Sequence, residues 1–320
     1  MAERFGDGRV YVTNRTNLQV RGFPSRSASA SSGELGAPGE GDRLGGGALA
    51  AVGGDRLADG ALAAVGGDRL ADEALAAVEA TGLLPTRTHE LVRNVMISPQ
   101  SGLAGGRADL RGVGEQLDRL LCADPGLADL PGRFLFALDD GRGDLLYRTC
   151  DLGLVALDGS TGQLRVGDGW GPVVPLSEAA ETLSTLAGRF LAIRGSGPSA
   201  PWHVTELAEL TGHAELTGRA ELTGRTEFAQ LSDITELTEL TELTELTGRA
   251  GLVQLVELAE PDPRLPEPSE PLPFGDVPGG RHVAVAESGL DRAAVEALTE
   301  GSEYLIVTPW RGVLIPEDAR

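Results

Sequence analysis

Two short segments near opposite ends of the chain each carry an arginine in a tight polar turn between apolar strands. The first is Val12-Thr13-Asn14-Arg15-Thr16-Asn17-Leu18-Gln19-Val20, and the second is Val307-Thr308-Pro309-Trp310-Arg311-Gly312-Val313-Leu314-Ile315. A guanidinium offers a planar fork of donors that grips a carboxylate through two parallel hydrogen bonds and stays charged at any relevant pH. If the turns converge, Arg15 and Arg311 would bound a site for an acidic ligand. The likeness of the segments predicts a pseudo-twofold scaffold with everything between them inserted. All 27 Lys-or-Arg positions are arginine, and at most of them this reads as compositional bias.

Other chemistries find little support. There is no G-x-S-x-G elbow, and the four histidines are scattered. Arg142-Gly143-Asp144 spells an adhesion tripeptide but reads as a hairpin turn, and its aspartates lack the ladder and terminal Glu of a calcium loop. Cys122 and Cys150 follow no ligand spacing, and two thiols cannot hold a cubane cluster, which needs four. Cys122 falls in a helical apolar pattern and is expected as a buried small hydrophobe. A net charge of −21 argues against a general nucleic-acid binder. No apolar run approaches the ~18 residues of a membrane span and no leader is recognisable, so no membrane partner and a cytoplasmic location are expected.

The elements that would position the arginines follow from periodicity. Residues 1–23 give a strand pair. At the other end, 281–286 reads as a strand, 291–299 as a helix with Ala294, Val295 and Leu298 on one face, and 303–308 as a strand. Between them, 109–122 is an amphipathic helix through Leu110, Val113, Leu117, Leu120 and Leu121. Residues 133–138 form a strand with Phe134, Phe136 and Leu138 alternating, which turns at 139–144 and returns as a strand over 145–157. Residues 177–193 are a helix with Leu183, Leu186, Phe190 and Ile193 in register and Gly195 at its cap.

The rest is biased in composition. Residues 25–41 are rich in Ser, Ala and Gly. A thirteen-residue unit follows, GGDRLADGALAAV at 53–65 and GGDRLADEALAAV at 66–78, of which the last copy should be a helix stopped by Thr81-Gly82. Between Thr205 and Leu258 the chain becomes Glu-Leu-Thr units whose three-residue spacing keeps no helical face buried. His213 belongs to that tract and is a poor ligand candidate. Residues 261–278 read as a proline-rich linker.

Four motifs in order rise above this background: Thr13-Asn14-Arg15-Thr16-Asn17-Leu18-Gln19, Val92-Arg93-Asn94-Val95, the stretch Leu130-Pro131-Gly132-Arg133-Phe134 running on to Asp144, and Thr308-Pro309-Trp310-Arg311-Gly312. Together they resemble the sulfite/nitrite reductase family, most closely its precorrin-3B synthase branch of aerobic cobalamin biosynthesis. The resemblance covers about two thirds of the chain and excludes the repeat tracts. It implies an α+β fold in which two ferredoxin-like halves pair about a pseudo-twofold around an inserted α+β domain, with a tetrapyrrole substrate in the central cleft. It places Arg15, Arg93 and Arg133 near tetrapyrrole carboxylates or the substrate anion, and Asn17, Gln19, Asn94, Arg142 and Arg311 with them as binding residues. No catalytic residue and no metal ligand is assigned. Siroheme sulfite reductases carry a second basic residue where this chain has Leu135, which favours the oxygenase branch.

The resemblance further implies an oxidoreductase that converts precorrin-3A to precorrin-3B with oxygen, a 4Fe-4S cluster and a second iron centre. A siroheme nitrite or sulfite reductase and a non-catalytic tetrapyrrole-binding fragment are the alternatives. The family's cluster ligands, Cys-x5-Cys and Cys-x3-Cys, lie beyond the second half, where this sequence ends at Arg320. The first half likewise lacks its opening strand and most of its helix. A truncated member is therefore expected, whose cluster domain a separate polypeptide would supply. The expected organisation is 1–23 first half, 24–66 linker and repeats, 67–204 helix and inserted domain, 205–278 repeats and linker, and 279–320 second half.

Overall fold

A computed structural model of the protein describes residues 1–21, 69–207 and 255–317. The Ser-, Ala- and Gly-rich residues 25–41, the earlier copy of the thirteen-residue unit at 53–65, and the Glu-Leu-Thr tract from 208 to 254 lie outside the described residues. The chain is mixed α and β and divides into two compact units, Met1–Leu91 with Leu272–Arg320, and Val92–Pro271.

The first unit opens with one helical turn, α1 (Ala2–Phe5), and an antiparallel hairpin of β1 (Val10–Val12) and β2 (Leu18–Val20). Helix α2 (Arg69–Glu79) is the last copy of the repeat. Its Ala and Leu content favours helix, and Ala74, Leu75 and Val78 are buried. Ala74 packs with Phe5 and Val20, while Leu75 and Val78 close on Leu84. The Thr81 hydroxyl donates to the Val78 carbonyl at 2.6 Å and Gly82 turns left-handed (φ 75), ending the helix at the Thr-Gly pair.

The second unit is a five-stranded sheet in the order β3 (Val95–Ile97), β4 (Phe136–Asp139), β5 (Leu152–Ala156), β6 (Thr161–Val166), β7 (Gly169–Pro175). The first three strands run parallel, and β5, β6 and β7 are antiparallel neighbours. Helices α3 (Arg111–Ala123) and α4 (Leu176–Arg194) pack on each other and on the sheet. Val113, Leu117 and Leu121 of α3 and Leu183, Leu186 and Phe190 of α4 are buried, as their spacing predicts. Cys122 is only partly buried, whereas Cys150 lies in a cluster with Met96, Leu135, Ala137 and Leu145. Phe134 stacks edge-on against Phe136 at 5.2 Å and tilts onto Phe190 at 4.9 Å.

The hairpin expected from 133 to 157 is corrected: β4 and β5 are parallel, and β4 is buried on both faces. The carboxylate of Asp139 accepts the N–H groups of Gly141, Gly143 and Leu145, each at 2.9 Å, which curls the chain away from an antiparallel return. Asp151 then accepts the Leu135 N–H at 2.8 Å, bringing the chain back beside the start of β4. The β6–β7 hairpin, which periodicity did not separate, follows a turn at Asp158. The proline-rich stretch is not a free linker in its first part. Gln163 donates to the Glu260 carbonyl (2.9 Å) and accepts from the Asp262 N–H (2.8 Å), and Ser269 N–H donates to the Gly143 carbonyl (3.0 Å).

The first unit is completed by β8 (Gly275–Val277), β9 (Gly280–Ala284), α5 (Arg292–Thr299), β10 (Ile306–Thr308) and β11 (Gly312–Pro316). The order is β10-β11-β9-β8 with antiparallel neighbours, so β9 and β10 run parallel, joined through α5, with β11 between them. This is a split βαβ unit. The Asp291 side chain caps α5 by accepting the Ala294 N–H at 3.0 Å. Val10 and Leu290 exchange backbone hydrogen bonds of 2.9 and 2.8 Å, joining the first hairpin to the segment before α5.

Candidate functional site

The two arginine-bearing turns have the same backbone. In the first, Thr13 faces Asn17, the Thr13 N–H donates to the Asn17 carbonyl at 2.9 Å, and Thr16 is left-handed at φ 62. In the second, Thr308 pairs with Gly312, and Arg311 is left-handed at φ 54. Thr16 and Arg311 are thus equivalent positions, and Arg15 corresponds to Trp310. The Thr13 hydroxyl accepts the Asn17 N–H at 3.0 Å inside its turn. The Thr308 hydroxyl instead bonds Nε2 of buried His282 at 2.9 Å. A side chain at position 312 would collide with that ring, which accounts for glycine there.

The turns border one cleft of about 440 Å³, whose walls include Arg15, Gln19, Arg21, Glu287 and Arg311. That volume falls within the range of small-molecule sites. Tyr11 and Arg21 make one wall, with the guanidinium 4.0 Å from the ring centroid. The Tyr11 hydroxyl donates to Asp7 at 2.7 Å, a bond that raises its pKa. On the other wall Arg311 donates to the Glu287 carboxylate at 2.6 Å. Three guanidinium groups therefore surround a space holding one carboxylate. Arg21 and Glu287 were not anticipated. Arg21 had a signal, because Gln19 and Arg21 alternate onto one face of β2 and Tyr11 lies opposite Gln19.

Of the expected binding residues, Arg15, Gln19 and Arg311 line this cleft, and Asn17 is buried in the turn beneath it. Arg93, Asn94, Arg133 and Arg142 belong to the second unit. Arg93, only 12 % exposed, is held bidentate by Asp118 at 2.6 and 2.9 Å. Asn94 is fully buried, and its amide donates to the Gly132 and Phe134 carbonyls at 3.0 and 3.1 Å. Arg142, 16 % exposed, grips Asp140 at 2.8 and 2.7 Å and also bonds the Gln100 side chain and the Ala104 carbonyl. Arg133 is exposed. The adhesion-like tripeptide is enclosed: Glu267 and Ser269 lie against Gly143, and Asp144 is buried.

The residues present do not fit an iron–sulfur cluster. The chain has two cysteines. Burial pushes the Cys150 thiol up to about 12 and also raises that of Cys122, and two thiols fall short of the four that a cubane cluster needs. Among the described residues no group of three or more His, Cys, Asp or Glu side chains could hold a metal ion. The cleft arginines do fit the carboxylates of a polyacidic ligand. Comparison of the chain with protein-family models, with curated proteins and with solved structures finds no match.

Proposed function

We propose that the cleft of the first unit binds a carboxylate-rich tetrapyrrole, and that the chain is the tetrapyrrole-binding part of an oxidoreductase of cobalamin biosynthesis. The reaction is the oxygen-dependent conversion of precorrin-3A to precorrin-3B. The observation that carries this reading is the gathering of Arg15, Arg21 and Arg311 around one cleft. The shared turn geometry and the Val10–Leu290 bridge support a pseudo-twofold pairing of ferredoxin-like halves. Leu135, buried in an apolar cluster where a siroheme sulfite reductase would carry a basic residue, supports the oxygenase branch. This chain's residues bind and orient the macrocycle rim, and the two cysteines of residues 1–320 are too few to hold the cluster.

The test is titration of the purified full chain with an octacarboxylate porphyrin followed by absorbance and fluorescence. Saturable binding that weakens with salt is expected, with Arg15→Gln and Arg311→Gln each weakening it about tenfold. Absence of saturable binding, or indifference to both substitutions, overturns the reading. Acid-labile sulfide on the purified chain should be absent, and a stoichiometric amount would overturn the reading that residues 1–320 hold no cluster. The poor fit to cluster ligands favours one second reading, a tetrapyrrole binder without bond chemistry. Turnover of precorrin-3A that is lost in Arg15→Gln and Arg311→Gln would exclude it.

A further inference from the structure

The cleft already contains an acid of its own. Glu287 reaches Arg311 at 2.6 Å although its side chain is 87 % exposed and that of Arg311 is 51 % exposed. A lone pair of this kind on an open surface is weak and mobile. Here, however, the backbone beneath both side chains is fixed from several directions. The Val285 N–H donates to the Arg311 carbonyl at 2.9 Å, closing the Glu287 loop onto the second turn. Gly289 N–H returns to the Ala286 carbonyl at 2.9 Å, Arg9 donates to the Ser288 carbonyl at 3.1 Å, and Leu290 is bridged to Val10. Arg311 itself is set by the left-handed turn between β10 and β11.

We infer that Glu287 is a built-in competitor for the cleft, a carboxylate of the protein that occupies Arg311 until a carboxylate of the ligand displaces it. The inference rests on the proposed binding of a polyacid in this cleft. It follows from charge and place. A ligand carboxylate arriving at Arg311 meets a guanidinium already engaged, and Glu287 must swing into solvent, which its exposure permits. Arg21, on the other side of the cleft, can take one acidic group of a polyacid before this exchange occurs. Glu287 therefore sets how many carboxylates a ligand needs, favouring polyacids over monoacids.

Four proteins test this with the full-length chain and the same octacarboxylate porphyrin: wild type, Glu287→Gln, Arg311→Gln and the double variant, each first shown to melt like wild type. Glu287→Gln should bind about two- to five-fold tighter at low salt, the worth of one exposed ion pair, with the gain shrinking at 0.5 M salt, where screening is short-ranged (about 4 Å). In the Arg311→Gln background the Glu287→Gln gain should vanish. An equal gain in both backgrounds means a general field effect and overturns the competitor role. No gain in Glu287→Gln, with Arg311→Gln still weakening binding, also overturns it while leaving the cleft as the site. Absence of binding by every protein, wild type included, defeats both the competitor role and the proposed function.

Discussion

Thr16 and Arg311 occupy the same place in two hairpins, the third loop residue, and both hold the left-handed backbone that glycine normally takes, at φ 62 and 54. An L side chain there costs about 1–2 kcal/mol. Thr16→Gly should therefore stabilise the first unit by about 0.5–1 kcal/mol after the extra entropy of glycine is counted. Arg311→Gly should likewise leave stability unchanged or raised, while weakening porphyrin binding about tenfold. Paired urea denaturation and titration separate these effects. A destabilised Arg311→Gly would show that the arginine serves the fold.

His282 makes the first unit sensitive to acid. Its Nδ1 lies 3.1 Å from the carbonyls of Leu272 and Pro273, which only accept, so Nδ1 carries the proton and Nε2 accepts from Thr308. Burial lowers its pKa, partly opposed by the two carbonyls. The folded state thus favours the neutral ring. Its contribution to stability is present above the unfolded value of about 6.5 and is lost as pH falls through the lower folded value. Urea midpoints between pH 7.5 and 5 should drop for wild type and flatten in His282→Gln, which should be less stable throughout.

Asp144 has the opposite sign. Burial first, then the neighbouring Asp139 charge, raises its carboxyl to about 7, opposed by the Ser98 hydroxyl at 2.6 Å and by Arg142. Its favourable contribution is complete below about pH 4 and is lost as pH rises through 7. Asp144→Asn should be nearly neutral at pH 5 and stabilising by about 1–4 kcal/mol at pH 8. Equal effects at both pH values would mean that Asp144 ionises normally in the fold.

Asn94 is a joint of the second unit. Removing its amide in Asn94→Ala leaves the Gly132 and Phe134 carbonyls short of a donor. A loss of about 2–4 kcal/mol is expected, with porphyrin binding to the intact protein unchanged. Weakened binding at undiminished stability would assign Asn94 to the ligand instead.

What was legible in the sequence follows physical range. Helices α2, α3, α4 and α5 announce themselves because their signals are local: apolar spacing, Thr81-Gly82, Asp291 and Gly195. The parallel pairing of β4 and β5 does not. Alternation of Phe134, Phe136 and Leu138 says nothing of the cover over Leu135 and Ala137, and the wrap around Asp139 looks like any polar turn. The cleft was half visible. Arg15 and Arg311 stand out as a repeated pattern, but Glu287 sits in a featureless loop. Nothing near Arg93 in sequence names Asp118, 25 residues on, as the acid that holds it.

Because the first unit is assembled from both flanks of the chain, with 92–271 lying between them, the order of synthesis bears on when the cleft exists. On the ribosome the second unit emerges whole while the first still waits for β9, α5 and β11, and domains generally fold as they appear. Arg15 is made before the second unit and Arg311 after it, so the two sides of the cleft can meet only once β10 and β11 have been made. A chain released before β9 keeps the sheet of the second unit and lacks the cleft wall that Val285, Glu287 and Arg311 provide.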